Sequence, residues 1–251
     1  MTKPSTQALY DQHATDWVRM EPILLSDYTA RPAVLASVGD AINRSVVDIG
    51  CGEGYMSRQL ASRGTESILA IDQSEEMIER AIAQNTIDGF NIDYRADSAT
   101  EWNPPEQTFD IALVVFLLNY LTIDQSIESL HKARRALKPG GRLILTVPHP
   151  ALPWLRAEKP PFYFCRPARN YTECSDMQLE GKIWRRDGTA VPVRCRHKTF
   201  DDLFRILRHA GFDQSIDVTE LAVTDEHLQL DPAFFGPLRG IPLHLLIQTM
   251  R

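Results

Sequence analysis

The stretch Val46-Val47-Asp48-Ile49-Gly50-Cys51-Gly52-Glu53-Gly54 decides the fold. It predicts a buried strand that ends in a glycine-rich turn, followed by a helix over residues 55–63. Three glycines within five residues allow a tight turn and positive φ angles. They also allow a ligand to lie against bare backbone at a helix N-terminus, where N–H groups and the helix dipole favour negative charge. The turn therefore indicates a nucleotide-type site, or, without a ligand, a tight strand-to-helix connection.

An acidic residue ends the next predicted strand. Residues 67–71 are predicted to form that strand, and Asp72 follows them. At the tip of the second strand of an open α/β sheet, a carboxylate can accept hydrogen bonds from both hydroxyls of a ribose. The alternative is a helix N-cap. Since Gln73 and Ser74 come next, Ser74 can cap the helix while Asp72 binds the ligand.

Two further acids narrow the kind of ligand. Asp48 lies within the first strand, where a dinucleotide-binding fold keeps an apolar residue. A buried acid needs a partner, and a cationic amino group is a suitable one. Asp97, in Ala96-Asp97-Ser98-Ala99 after a third strand at residues 91–95, can accept from an adenine amino group. These acids favour an adenosine ligand that also carries a cationic amino group outside its adenine ring.

The later motifs complete a family pattern. Phe109-Asp110 opens an apolar run at residues 111–118, and Leu137-Lys138-Pro139-Gly140-Gly141 precedes a strand at residues 143–147. With the glycine turn, Asp72 and Asp97, in this order and spacing, the chain resembles the class I S-adenosylmethionine-dependent methyltransferases of small-molecule type. The resemblance covers residues 5–150 and extends loosely over the rest. An NAD oxidoreductase would place its third glycine one position later, where Tyr55 stands.

The resemblance implies an α/β fold and a cofactor. The fold is a Rossmann-like, seven-stranded, mostly parallel sheet with helices on both faces, whose last two strands form an antiparallel hairpin at one edge. The cofactor is S-adenosyl-L-methionine, and the product is S-adenosyl-L-homocysteine. We expect a single domain over residues 1–251, with an N-terminal helical cap (1–40), a cofactor-binding core (41–147), a β-hairpin lid over the substrate (148–198), and a C-terminal helix and antiparallel strands (199–251).

The cofactor-binding residues also follow from the resemblance. They are Tyr10, Asp48, Gly50, Cys51, Gly52, Gly54, Asp72, Gln73, Met77, Asp97, Ser98 and Val114. Tyr10 belongs to a Tyr-Asp-x-x-Ala-x-x-aromatic pattern on a predicted helix that runs to about residue 20 and ends in Trp17. In the family such a helix closes over the cofactor. The alternative is an amphipathic packing face, which is the better interpretation of Trp17.

Helical and strand periodicity places the remaining elements. Helices are predicted at residues 32–38, 77–83, 122–137 and 199–210, with Gly140 and Gly211 ending the last two. Strands are predicted at residues 215–223 and 243–250. The alternation of strands and helices implies parallel strands joined by right-handed crossovers.

Composition excludes several classes of function. The net charge of −6 argues against a general nucleic-acid binder. The longest apolar run, residues 111–118, is too short to cross a membrane, and no hydrophobic signal segment is present, so we expect a cytoplasmic protein. No pair among Cys51, Cys165, Cys174 and Cys195 has Cys-x-x-Cys spacing, so we expect reduced structural cysteines and no metal site.

Residues 148–198 are rich in proline and aromatic residues and form the predicted lid. Residues 182–185 and 190–195 flank Arg186-Asp187-Gly188, and an Asp-Gly pair between alternating runs is a hairpin signal. Residues 151–198 hold ten Lys or Arg against five Asp or Glu. This local excess indicates a pocket for an anionic or phosphate-bearing substrate, or a solvated hairpin face.

Methyl transfer from a sulfonium is an in-line displacement that requires alignment and a dry pocket. A base is needed only if the acceptor must lose a proton. His149, directly after the fifth strand, and His197, before the late helix, are the candidate catalytic bases, or else structural residues. Asn119 and Tyr120 follow the fourth strand and are expected near the methyl group. The residues expected either to stack on a flat substrate or to pack the lid are Trp154, Phe162, Tyr163 and Trp184.

These observations predict a methyltransferase acting on an N, O or C atom of a small, planar or anionic metabolite. The chain resembles toxoflavin-type and natural-product methyltransferases in its helical N-terminus, in the His149-Pro150 pair after the fifth strand and in the hairpin lid. An RNA or protein methyltransferase is one alternative, although residues 114–117 lack an Asn-Pro-Pro-Tyr motif. A catalytically silent cofactor-binding scaffold is the other. We expect a small-molecule substrate, no nucleic-acid or membrane partner, and a monomer or homodimer.

Overall fold

The computed structural model describes residues 17, 19 and 21–251. The strands are, in chain order, β1 Ser45–Ile49, β2 Ser67–Asp72, β3 Ile92–Ala96, β4 Phe109–Val115, β5 Leu137–Pro148, β6 Phe162–Phe164, β7 Gln178–Trp184, β8 Ala190–Arg196, β9 Ile216–Leu221 and β10 His244–Met250. The helices are α1 Leu25–Thr29, α2 Arg31–Val38, α3 Tyr55–Ala61, α4 Glu75–Asp88, α5 Ile123–Ala136, α6 Leu152–Leu155, α7 Phe200–His209, α8 Asp225–Leu230 and α9 Pro232–Phe235. The predicted N-terminal helix falls largely, and Tyr10 wholly, outside the described residues.

The described strands form one large sheet and one small sheet. The large sheet has seven strands in the order β3-β2-β1-β4-β5-β10-β9. Its first five members are parallel to one another, and β10 is antiparallel to both β5 and β9. The predicted seven-stranded, mostly parallel sheet is confirmed.

The sheet has an apolar layer on each face because successive side chains of a strand point to opposite sides. Val47 of β1 packs in a cluster with Leu130 of α5 and Ile206 of α7. Its neighbour Val46 packs in a second cluster with Val34 of α2 and Leu60 of α3. Helices therefore cover both faces, as predicted for a three-layer α/β protein.

The sequence signals for helix starts have the expected local geometry. The hydroxyl of Ser74 accepts a hydrogen bond from the backbone N–H of Met77 at 3.3 Å, so Ser74 caps α4 as predicted. Thr122 and Thr199 cap α5 and α7 in the same way. Each satisfies an N–H group that has no partner within the helix.

The prediction that Gly140 ends α5 is wrong. The helix ends at Ala136, and β5 begins at the next residue. Leu137 already pairs with Phe109 of β4, and the pairing register shifts before Ile111. Gly140, at φ +74°, lies inside this irregular part of β5. The glycines therefore accommodate a bulge in the strand, a common role for this residue.

The lid is a three-stranded antiparallel sheet in the order β6-β7-β8. Strands β7 and β8 form the predicted hairpin, with Trp184 opposite Ala190 at its end. Buried lid residues, among them Phe164 and Val193, pack with Phe235 of α9. The connection between β9 and β10, predicted as a hairpin, thus contains helices that support the lid. Within the described chain, every helix is too short or too polar to span a bilayer.

Candidate active site

A cavity of about 490 Å³ lies between the carboxyl ends of the parallel strands and the lid sheet. This edge is where open α/β sheets bind their ligands. Many of the predicted site residues line it, namely Asp48, Gly50, Cys51, Gly52, Asp72, Gln73, Met77, Asp97, Ser98, Asn119 and Tyr120. The cavity therefore brings together the glycine turn, the strand-end acids and the segment after β4.

The glycine turn folds back onto the end of β2. The backbone N–H groups of Gly50 and Cys51 both donate to the carbonyl oxygen of Ile71, at 2.8 and 3.0 Å. Gly50 has φ +77°, and a Cβ there would lie 3.0 Å from the Leu117 side chain. Glycine is required at this position for both its backbone angle and its lack of a side chain.

Asp72 is tied to the turn by backbone hydrogen bonds. Its Oδ2 accepts from the N–H of Gly52 at 2.9 Å, and its Oδ1 accepts from the N–H of Ser74 at 3.0 Å. An ionised carboxylate offers about four acceptor sites. One group can therefore hold the turn in shape and also accept hydroxyl donors from a ligand.

Asp48 is a buried acid at the base of the cavity, with 1 % of its surface exposed. The Ser57 hydroxyl donates to its Oδ2 at 2.7 Å. Burial raises the pKa of Asp48 to about 6, and repulsion from Asp72 adds to this effect while the Ser57 hydrogen bond opposes it. A cationic ligand group beside Asp48 would favour its ionised form.

A chain of buried ion pairs runs along one side of the cavity. Glu53 pairs with Arg58 at 2.6 Å and with Arg19 at 3.1 Å. Asp27 pairs with Arg19 at 2.8 Å and with Arg31 at 3.1 Å. Burial alone would raise the pKa of Asp27, but the adjacent arginines outweigh it and hold that pKa below its ordinary value. Arg58 also pairs with Asp88 at 3.6 Å, so three guanidinium groups share three carboxylates.

The two ends of the cavity differ in their lining. Near Asp97 the walls include Ile71, Met77 and Ala99. Beneath the lid the walls are apolar and aromatic, with polar groups from several elements between them. The residues of the lid end are Phe116, Asn119, Phe162, Phe164, Ile183, Val193, Arg194, Arg31 and His244.

His149 lies at the end of β5 as predicted, but it faces a separate cavity of about 20 Å³. Its Nδ1 accepts from the N–H of Ala151 at 3.2 Å. Its Nε2 lies 2.9 Å from Oε1 of Glu220 and donates to it, since Nδ1 carries no proton. Both ring nitrogens are engaged within the protein, so the geometry suits a residue that fixes the β5 end.

His197 and Trp154 pack together at the base of the lid, and His197 lines the same small cavity as His149. The His197 ring centroid lies 5.0 Å from that of Trp154 and 5.3 Å from that of Tyr171. Burial lowers the pKa of His197 to about 4. Neither ring lines the large cavity.

Tyr163 and Trp184 lie on the outer face of the lid, with ring centroids 5.9 Å apart. Their sequence neighbours Phe162 and Ile183 form the inner face and line the large cavity. Side chains alternate between the two faces of a strand, so Tyr163 and Trp184 point away. This placement suits packing rather than substrate contact.

Two predicted cofactor-binding residues also lie outside the cavity lining. Val114 faces the α5 side of the sheet, in the same cluster as Leu130. Gly54 adjoins the ring of Tyr94, where a Cβ would clash. Val115 and Glu53, one residue away in each case, line the cavity instead.

Sequence reasoning missed His244, Arg31 and Arg19 in the cavity wall. His244 is the first residue of β10 and lies opposite Pro148, the last residue of β5. Because β10 is antiparallel, its beginning lies at the edge where the parallel strands end. The predicted antiparallel strand was therefore a signal for His244. The arginines come from the segment before β1, and nothing in their local sequence marks them.

Comparison with known proteins finds a methyltransferase domain in the central part of the chain. Residues 46–141 match the family of the methyltransferase domain. The demethylmenaquinone methyltransferase of Tropheryma whipplei is 34 % identical over 122 residues, which are 48 % of this chain and 48 % of that protein. The chain thus aligns with about half the length of this curated relative.

Solved structures share the fold over most of the chain. A S-adenosylmethionine-dependent methyltransferase from Mesorhizobium loti has a TM-score of 0.67 at 24 % identity, over 88 % of this chain and 96 % of that one. A second solved structure is the 1,6-didemethyltoxoflavin-N1-methyltransferase of Burkholderia thailandensis with bound 1,6-didemethyltoxoflavin and S-adenosylhomocysteine. It has a TM-score of 0.59 at 16 % identity, over 98 % of this chain and 86 % of that one. These similarities identify the class I methyltransferase fold.

Proposed function

We propose that this chain, which has a methyltransferase domain and the class I S-adenosylmethionine-dependent methyltransferase fold, transfers a methyl group to an N, O or C atom of a small, planar or anionic metabolite. The observation that carries the proposal is the continuity of the cavity. Asp48, Asp72 and Asp97 line the same space as the apolar lid residues Phe162 and Val193. A cofactor at the acids and an acceptor under the lid would thus share one enclosure.

The charged groups of the cavity suit S-adenosylmethionine. Asp72 lies at the tip of β2, where it can accept from the ribose hydroxyls. The buried Asp48 is an acceptor for the amino group, and the guanidinium group of Arg19, which lines the same cavity, suits the carboxylate. Asp97 lies beside apolar walls that suit an adenine ring and its amino group. Each polar part of the cofactor has a group of matching charge.

The bound cofactor would supply a methyl group activated on a sulfonium sulfur. The protein's own contribution is to hold the acceptor in line with that methyl group and to exclude water. Phe162, Phe164 and Ile183 of the lid provide an apolar cover. Asn119, after β4, is buried and lines the cavity, which supports a role in orienting the acceptor.

Features of the lid end support a small, planar or anionic acceptor. Aromatic side chains, among them Phe116 and Phe162, suit a flat ring. Arg31 and Arg194 bring guanidinium groups to the same region, which suits an anionic substituent. The relatives from Tropheryma and Burkholderia are named for small-molecule substrates, demethylmenaquinone and 1,6-didemethyltoxoflavin.

Incubation with S-adenosylmethionine labelled in its methyl group tests the proposal. A panel of small planar hydroxy, amino and carboxylic compounds is offered beside bulk RNA and an unfolded protein mixture. We expect label in at least one small molecule and none above background in RNA or protein. Label only in RNA or protein would contradict the substrate class, and failure to bind the cofactor would contradict the reaction.

A further inference from the structure

His244 occupies a central place in the lid end of the cavity. It is the first residue of β10, and 2 % of its surface is exposed. Its ring contacts Phe116 edge to face at a centroid distance of 5.1 Å and stacks on Phe162 at 6.1 Å. Both aromatic residues line the cavity, so the imidazole is part of the same wall.

The hydrogen bonds around His244 fix its tautomer. Nε2 of His244 lies 3.0 Å from the Thr29 hydroxyl oxygen. That hydroxyl donates its own hydrogen to the carbonyl oxygen of Leu25 at 3.0 Å. A hydroxyl has one hydrogen, so Thr29 must accept from His244 Nε2–H. A neutral ring protonated on Nε2 carries a lone pair on Nδ1.

This Nδ1 is buried and has no hydrogen-bond partner among the residues that the structure describes. The same holds, within the described chain, for Oδ1 of Asn119 and for Nε of Arg31, and both of these residues also line the cavity. Buried polar atoms are ordinarily hydrogen-bonded. Two acceptors and one donor at one end of a cavity therefore point to a ligand with complementary groups.

Arg31 and His244 are neighbours in this wall. The Arg31 guanidinium carbon lies 5.5 Å from the centroid of the Phe116 ring, which His244 also contacts. A planar substrate of one or two rings can thus reach both groups at once. The cationic Arg31 favours an anionic or carbonyl oxygen and disfavours a product that becomes cationic, as a methylated amine does.

We propose that Nδ1 of His244 accepts a hydrogen bond from a hydroxyl group of the methyl acceptor and Oδ1 of Asn119 accepts one from a further donor of the same molecule, while Nε–H of Arg31 donates to a neighbouring oxygen. The substrate class is a planar ring with a hydroxyl beside a carbonyl or carboxylate, methylated on the hydroxyl oxygen. This inference rests on the proposed function and narrows its acceptor.

His244 takes the hydroxyl proton while an oxygen lone pair forms the bond to the methyl carbon and the electron pair of the carbon–sulfur bond stays on sulfur. Burial, with the positive charge of Arg31, lowers the pKa of His244 to about 3. The ring is therefore neutral at neutral pH and available as an acceptor. A base this weak can take the proton of a hydroxyl group whose oxygen is being methylated, because methylation makes that O–H strongly acidic. It cannot take a proton from a methylated ammonium group, which is a much weaker acid.

Paired probes test the inference without knowledge of the natural substrate. The probes are 2-hydroxybenzoate and 2-methoxybenzoate, titrated into protein saturated with S-adenosylhomocysteine. The wild type should bind the hydroxy compound about tenfold more tightly, the usual scale of one buried hydrogen bond. His244→Leu should lose this preference. His244→Asn, whose side-chain Oδ1 replaces the Nδ1 acceptor, should keep it.

Equal affinities of the two probes for the wild type, including binding of neither, would overturn the inference. So would a preference that persists in His244→Leu. Saturation with S-adenosylhomocysteine is measured first, so that a failure of the proposed function is distinguished from a failure of this step. If His244→Leu does not fold, ¹⁵N NMR of the wild type with labelled histidine replaces that variant. A protonated Nδ1 of His244 would overturn the inference. An Nδ1 signal that does not change when 2-hydroxybenzoate is added would overturn it as well.

Discussion

The Asp72 carboxylate accepts a hydrogen bond from the backbone N–H of Gly52 at 2.9 Å. The residue that is proposed to bind the ribose therefore also fixes the middle of the glycine turn. Position 72 thus has a structural role and a proposed binding role, which different measurements can separate.

Replacement of Asp72 by alanine should loosen the turn even without a ligand. The Gly52 N–H and the Ser74 N–H both lose an acceptor. We expect faster hydrogen exchange at these amides and little change in β5. Asp217→Ala, at an exposed position of the edge strand β9, is the matched control and should leave their exchange unchanged. Unchanged exchange in Asp72→Ala would contradict the structural role.

The pKa of Asp48 predicts a pH dependence of cofactor affinity. Burial raises that pKa to about 6 in the free protein. The ligand's ammonium group favours the ionised form, so binding at lower pH must first displace a proton from Asp48. The affinity for S-adenosylhomocysteine should therefore rise about tenfold from pH 5 to pH 7 and then level off. Calorimetric titration across this range measures it.

Asp48→Asn provides the control for this pH dependence. The amide cannot ionise, so the affinity should be weaker and nearly constant between pH 5 and pH 7. A wild-type affinity that falls as the pH rises, or an equal slope in Asp48→Asn, would show that another group is responsible.

Gly50→Ala should affect both stability and binding. The substitution places a Cβ 3.0 Å from Leu117 at φ +77°. The left-handed backbone alone costs about 1–2 kcal/mol in a non-glycine residue. Gly89, at φ +73°, ends α4 and has no heavy atom within 4 Å of a built Cβ. Gly89→Ala should thus lose only the backbone part of this stability in a denaturant titration and keep its affinity for S-adenosylhomocysteine, whereas Gly50→Ala should lose more stability and its affinity as well.

The buried ion pairs should be costly to break. Glu53 and Arg58 have 5 % and 7 % of their side chains exposed. Glu53→Gln removes one carboxylate partner from each of two buried arginines, Arg19 and Arg58, and we expect a loss of about 3–5 kcal/mol in the free energy of unfolding. Glu106 pairs with Arg135 at the surface, where 63 % of the Glu106 side chain and 41 % of the Arg135 side chain are exposed. Glu106→Gln should change stability by less than about 1 kcal/mol; equal effects would contradict the account.

Local signals in the sequence accounted for most of the fold. The Gly50–Gly54 turn, the Ser74 cap and the Asp187-Gly188 hairpin each depend on residues close in sequence, so their chemistry can be read directly. The alternation of strands and helices then fixed the sheet. Gly140 was misjudged because helix α5 ends where β5 begins to pair with β4, and such a competition depends on tertiary contacts.

The cofactor end of the cavity was easier to predict than the substrate end. Asp48 and Asp72 lie on or next to parallel strands, whose carboxyl ends meet at one edge. Tyr163 and Trp184 were assigned to the pocket as aromatic residues, although their alternation with Phe162 and Ile183 places them on the other face. Arg31 reaches the cavity only through the packing of α1 and α2, which no local pattern encodes.

Calorimetric titration with S-adenosylhomocysteine, on the wild type, Asp72→Ala and Asp217→Ala, tests the central claim most directly. The account predicts micromolar binding, about −8 kcal/mol, to the wild type and to Asp217→Ala. It predicts no measurable binding to Asp72→Ala. Absence of binding to the wild type, or equal binding to all three proteins, would contradict the proposal that this cavity holds the cofactor of a methyltransferase.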